Sequence, residues 1–97
     1  MRGFNDLILF GGVRISEAQR LIREMYFQRD RARGLLGTYL WFIEEVGELA
    51  EAMREGEGME EEFADVLAWL LSLANLVGVD VEGAFLSKYY DKAPGRS

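Results

Sequence analysis

The sequence predicts an all-α protein, a four-helix bundle completed by association with a second copy of itself. Three observations carry that prediction. Apolar residues recur at spacings of three and four, no segment alternates as a strand does, and one helix is apolar around most of its circumference. The first helix covers about residues 16–33, where Ser16 and Gln19 have the form of a capping box ahead of Ala18, Leu21, Ile22, Met25 and Tyr26. Gly34 and Gly37 punctuate its end. Thr38 is placed to cap a second helix running to about Arg54, with Phe42, Ile43, Val46, Leu49, Ala50 and Met53 on its apolar face. Glu55-Gly56-Glu57-Gly58 is too polar and glycine-rich to stay helical. The third helix starts at Met59 or Glu60 and ends at Gly78, a residue suited to the left-handed conformation beyond a helix end. Asp80 caps a short fourth helix, about residues 81–92, and Pro94-Gly95 ends the regular structure.

Residues 16–92 thus read as one helical domain, 93–97 as a C-terminal tail, and 1–15 as an N-terminal arm whose Leu7-Ile8-Leu9-Phe10 run has no assigned structure. From Val66 to Val77 the only polar residues of the third helix are Ser72 and Asn75. A helix so apolar needs cover on several sides, which 97 residues can hardly supply alone. The expected answer is a homodimer or a dimer of dimers.

The composition excludes much chemistry. With no Cys and no His among 97 residues there is no disulfide framework, no ordinary zinc site, no haem ligand of those types, and no Ser-His-Asp or Cys-His nucleophile. Any metal must sit on oxygen, which favours hard cations. Hydrophobic residues make up 49% of the chain and the mean hydropathy is −0.06, a globular composition. The longest uncharged stretch, Val66 to Val79, is 14 residues, short of the roughly 20 a membrane span requires. The apolar run Leu7–Phe10 is too short for a signal-peptide core, so a cytoplasmic location is expected.

The net charge of −6 is unevenly spread: ten of the seventeen acids lie between Glu44 and Asp65, opposed there only by Arg54. An acidic chain of this kind is repelled by nucleic acid. Projection at about 100° per residue gathers Trp41, Glu45, Glu48 and Ala52 on one flank of the second helix, and Glu62, Asp65, Trp69 and Ser72 on one flank of the third. In a hairpin turning at Gly56–Gly58, residues equidistant from the turn face each other, so four carboxylates, Glu45, Glu48, Glu62 and Asp65, are expected to converge. Gathered beside an apolar stripe they repel one another and lose solvation unless a cation compensates. One or two Mg²⁺ or Mn²⁺ ions suit that role, and Mg²⁺ usually completes its coordination with water and substrate phosphates.

The segments Trp41-Phe42-Ile43-Glu44-Glu45-Val46-Gly47-Glu48-Leu49-Ala50-Glu51-Ala52 and Glu61-Glu62-Phe63-Ala64-Asp65-Val66-Leu67-Ala68-Trp69-Leu70 resemble the MazG-like nucleotide pyrophosphohydrolases of the all-α nucleoside triphosphate pyrophosphatase superfamily. The shared pattern is Glu-x-x-Glu followed, here after 13 residues, by Glu-x-x-Asp, which sets Glu45, Glu48, Glu62 and Asp65 on the family's ligand positions. Ala74 to Glu82, leading into Lys88, resembles the family's junction between third and fourth helices and its last-helix lysine; the chain departs from some relatives in continuing with Tyr89-Tyr90-Asp91. The resemblance implies Mg²⁺-assisted hydrolysis of a nucleoside triphosphate between its α and β phosphates, giving a monophosphate and pyrophosphate. It further implies a spare carboxylate, assigned to Glu44, as base for the attacking water, and Lys88, with Lys92 and Arg96, as neutralisers of the phosphates.

Trp41 and Trp69 lie at one end of the carboxylates, as core or dimer residues or as a platform for a base. Asn75 either reads a base edge or satisfies a buried carbonyl. Arg29, Arg31 and Arg33 complement the dipole of the first helix. Two other functions compete: hydrolysis of a different pyrophosphate such as phosphoribosyl-ATP, and a helical dimerisation or regulatory module without turnover. A di-iron carboxylate bundle ranks below both, since such bundles use Glu-x-x-His pairs.

Overall fold

The computed structural model describes residues 12–92. The chain runs through α1 (Ile15–Arg33), α2 (Leu35–Glu55), α3 (Met59–Val77) and α4 (Val81–Tyr89), followed by one 3₁₀ turn, Tyr90–Lys92. The fold is all-α, with no strand among the described residues. The segment 1–11 and the tail 93–97, including Arg96, lie outside them.

Helix α3 is the hub: α2 packs antiparallel along one side of it, α1 packs on another, and α4 rests on α1. The buried residues follow from that position. Leu71 is 1% exposed, and Ser72, Ala74 and Asn75 are buried around it. No single helix is long and apolar enough to cross a membrane.

Two helix starts differ from those the sequence predicts. Helix α1 begins at Ile15, and Glu17 rather than Gln19 reaches back, its Oε1 accepting the Arg14 backbone N–H at 3.2 Å. Gln19 is needed elsewhere. Helix α2 begins at Leu35, three residues before Thr38, because Gly34 alone reverses the chain at φ 91°, a conformation costly for any residue with a Cβ. Gly37 therefore lies inside α2. Its missing side chain makes room for Arg33, whose Cγ would stand 2.8 Å from a Cβ at position 37. Thr38, fully buried, accepts a hydrogen bond from Arg33 instead of capping the helix.

The ends of α2 and α3 and the starts of α3 and α4 agree with the sequence, while α4 gives way to the 3₁₀ turn within the expected 81–92 and Pro94-Gly95 lies outside the described residues. Gly56 and Gly58 both adopt left-handed φ in the α2–α3 turn, and Gly78 ends α3 at φ 74°. Asp80 occupies the N-cap position of α4 without making a side-chain cap bond.

A polar seam fixes α1 on α3 and α4. Gln19 Nε2 donates to Asn75 Oδ1 at 3.1 Å and to the Val79 carbonyl at 2.7 Å, its Oε1 accepts the Val81 N–H at 3.1 Å, and Asn75 Nδ2 donates to the Gln19 carbonyl at 3.2 Å. Glu82 closes the far end, accepting from the Arg14 guanidinium and the Ser16 N–H. These bonds hold the Glu82 carboxyl below the usual carboxylate range, the arginine bond contributing most.

Apolar side chains remain uncovered elsewhere. Leu36 is 71% exposed, and Leu40 and Ile43 on α2 and Phe63, Leu67 and Leu70 on α3 are exposed as well. The third helix is therefore covered by α1 and α2 and left open beyond them, on the faces where the sequence expects a second copy.

Asn75 lies buried with both amide atoms in use, so Asn75→Ala strands the Gln19 amide and carbonyl. The expected loss is about 1–3 kcal/mol in urea unfolding, with the helical circular dichroism of the folded state unchanged.

Candidate metal centre and adjoining cavity

The turn at Gly56–Gly58 sets the register of the hairpin, and with it the level at which α2 and α3 exchange side chains. Glu45 and Glu48 are one helical turn apart on α2, and Glu62 comes from the first turn of α3. One oxygen from each lies within 4.8 Å of the others. Glu45 and Glu62 are half-buried and Glu48 is exposed. Two oxygens, Glu45 Oε2 and Glu62 Oε2, are shielded from solvent and accept no hydrogen bond.

Desolvation, then the charges of Glu48, Asp65 and Glu62, push the Glu45 carboxyl from its ordinary 4.5 up to about 7. Glu62 is raised as well, by desolvation first and then by Glu48, Asp65 and Glu61. An all-oxygen donor set with unsatisfied acceptors suits a hard dication such as Mg²⁺ or Mn²⁺, so these residues fit the metal the sequence suggests.

Three of the four expected carboxylates form this group, and Asp65 stands beside it. Its charge reaches Glu45 and Glu62, but its side chain is one methylene shorter than theirs, and it also lines a cavity on the α1 side of α3. That cavity, about 240 Å³, is walled by Tyr26, Arg29, Asp30 and Arg33 of α1 and by Asp65, Ala68, Trp69 and Ser72 of α3. Asp65 thus belongs to both spaces.

Trp69 joins the cavity to α2. Its ring stacks on Trp41, with centroids 5.9 Å apart and planes 10° from parallel, and the Arg33 guanidinium lies 5.0 Å from its centroid. Arg33 Nη1 also donates to Asp30 Oδ1 at 2.9 Å and to Thr38 Oγ1 at 3.3 Å.

The other sequence candidates are placed elsewhere. Glu44 is exposed on α2 and lies outside the three-carboxylate group. Lys88 and Lys92 sit over the Tyr89 ring, at 5.5 and 6.0 Å, and line neither the carboxylate group nor the α1–α3 cavity. Asn75, a candidate base reader, serves a buried carbonyl in the α1 seam. Sequence reasoning passed over Asp30, Tyr26 and the position of Arg33. The arginines of α1 were accounted for by the helix dipole, and a lone Asp near a helix end carries no periodic signal.

Antiparallel helices that press glutamates into a shared crevice, beside an aromatic-walled cavity, define an all-helical protein with an acidic cluster suited to a cation. A family model described as the MazG nucleotide pyrophosphohydrolase domain matches residues 33–97, two thirds of the chain, and the chain belongs to that family. No curated protein matches the sequence.

Because folding raises Glu45 above its unfolded value, its contribution to stability is present below about pH 4.5 and is lost as pH rises through about 7. Thermal melts in a chelator are expected to show stability falling across that window. Mg²⁺ or Mn²⁺ is expected to stabilise most at its upper end, where the carboxylates are ionised.

Proposed function

We propose that this protein is a Mg²⁺-dependent pyrophosphohydrolase that cleaves (deoxy)nucleoside triphosphates to a monophosphate and pyrophosphate. The observation that carries the reading is the convergence of Glu45, Glu48 and Glu62, with buried unsatisfied oxygens and Asp65 alongside, in a chain of the MazG family. Those four residues would hold the cation, and what it supplies is positive charge for phosphate oxygens and an acidified water. The carboxylates of α2 and α3 orient it. Glu44, one residue before Glu45 and open to solvent, is the base offered to the attacking water.

Lys88 and Lys92 serve as phosphate neutralisers in this reading only from a neighbouring copy or after movement, since both lie over Tyr89. Arg29, in the wall of the cavity that Asp65 shares, is the alternative cation. The exposed apolar residues of α2 and α3 support a homodimer or dimer of dimers, for which burial of Leu36, Leu40, Phe63 and Leu67 supplies the driving force. Light scattering should then return at least twice the chain mass of 11.1 kDa; a monomer at micromolar concentration contradicts it.

Pyrophosphate release from a panel of triphosphates, with and without Mg²⁺, tests the activity. Glu48→Gln and Asp65→Asn are expected to lower kcat/KM by at least about 100-fold, the upper end of what changes to groups supporting a metal ligand cost. Glu44→Gln should lower kcat by roughly 10²–10⁴-fold with metal binding intact. Turnover of phosphoribosyl-ATP alone would move the assignment to that substrate, and Mg²⁺-dependent stabilisation without any hydrolysis would make the protein a binding module.

A further inference from the structure

Asp30 is the one buried residue of α1. It is 2% exposed and lies in the last turn of the helix, where the dipole disfavours an anion. Arg33 satisfies Oδ1, but Oδ2 is buried without a hydrogen-bond partner. A buried acceptor left unmet costs free energy that folding alone does not recover, so a donor from outside the chain is the economical explanation.

Asp30 lines the cavity between α1 and α3, and the other walls narrow the choice of donor. Tyr26 and Trp69 supply aromatic walls, and the planar Arg33 guanidinium lying over the Trp69 ring is a surface against which a flat base can stack. The volume of about 240 Å³ exceeds the roughly 150 Å³ that accommodates benzene in an apolar cavity, and so takes a pyrimidine or purine. A phosphate is the wrong occupant beside Asp30, whose carboxylate repels it and already engages the Arg33 guanidinium, which also reaches Thr38 and Trp69. Asp65, in the same lining, adjoins the carboxylates where a phosphate chain belongs.

We propose that this cavity receives the nucleobase and that Asp30 selects bases bearing an exocyclic amino group at the pyrimidine 4 or purine 6 position, cytosine and adenine, by accepting an N–H at Oδ2. The inference rests on the pyrophosphohydrolase reading and deepens it. Asp30 precedes the residues that the family model matches, so family membership does not assign it. Uracil and hypoxanthine place a carbonyl where the amino group would be, facing a carboxylate that cannot donate.

The test compares substrates that differ only there. The full-length protein with Mg²⁺ is expected to hydrolyse dCTP over dUTP, and ATP over ITP, by roughly 10- to 100-fold in kcat/KM, the cost of one unmet buried acceptor. Asp30→Asn, similar in shape and able to donate, should collapse or invert both ratios. An active enzyme that treats each pair alike overturns the proposal, as does an Asp30→Asn variant that lowers all four substrates equally, which is what a structural brace or a phosphate grip predicts. If the variant does not fold, the wild-type ratios decide alone. Absence of hydrolysis on every nucleotide removes the pyrophosphohydrolase reading itself, an outcome distinct from activity without discrimination.

Discussion

Mutual repulsion among Glu45, Glu48 and Glu62 is the constraint around which this small fold is arranged. Carboxylates with oxygens within 4.8 Å of one another and partly desolvated do not stay together unless the backbone compels them. Here the compulsion comes from the α2–α3 hairpin, whose Gly56–Gly58 turn leaves little freedom of register, and from the packing of Leu71 and Ala74 farther along α3. Among the described residues no arginine or lysine forms an ion pair with Glu45, Glu48 or Glu62, so the group stays acidic. The unsatisfied oxygens and the raised Glu45 both follow from like charges crowded together and partly desolvated.

The first helix does different work. It adds no carboxylate to the cluster, yet it completes the fold by packing on α3 and supporting α4. Its grip is polar at both ends: the Gln19–Asn75 exchange and the Glu82 clasp near its start, the Asp30–Arg33–Thr38 chain near its finish. Between them lies the cavity that Asp65 shares with the acidic crevice. A thin core is offset here by hydrogen bonds between helices, each worth about a kilocalorie per mole and specific in geometry.

What the sequence disclosed was whatever repeats. The 3.6-residue period set α3 and the body of α2, and the i, i+3 carboxylate pairs placed Glu45, Glu48 and Glu62 together because each spacing returns to one helical face. Single-residue signals were ambiguous. Thr38 reads as a cap by residue type, but Gly34 makes the reversal and Thr38 is consumed by Arg33. Gln19 reads as half of a capping box, but its amide joins three elements that only the tertiary fold brings together. Asp65 has the right face, and a shorter side chain leaves it at the edge of the group. Asp30 escaped notice because nothing local distinguishes an aspartate that will be buried from one that will be solvated.

A single glycine, Gly34, separates the helix that walls the cavity from the hairpin that carries the carboxylates. The α1 wall of the cavity is thereby stitched to the acidic hairpin at one swivel point, while α3 serves both spaces. On the proposed reading, drift at positions 26, 29 and 30 would retune which ring is welcomed and leave the acidic hairpin to pass unaltered from ancestor to descendant.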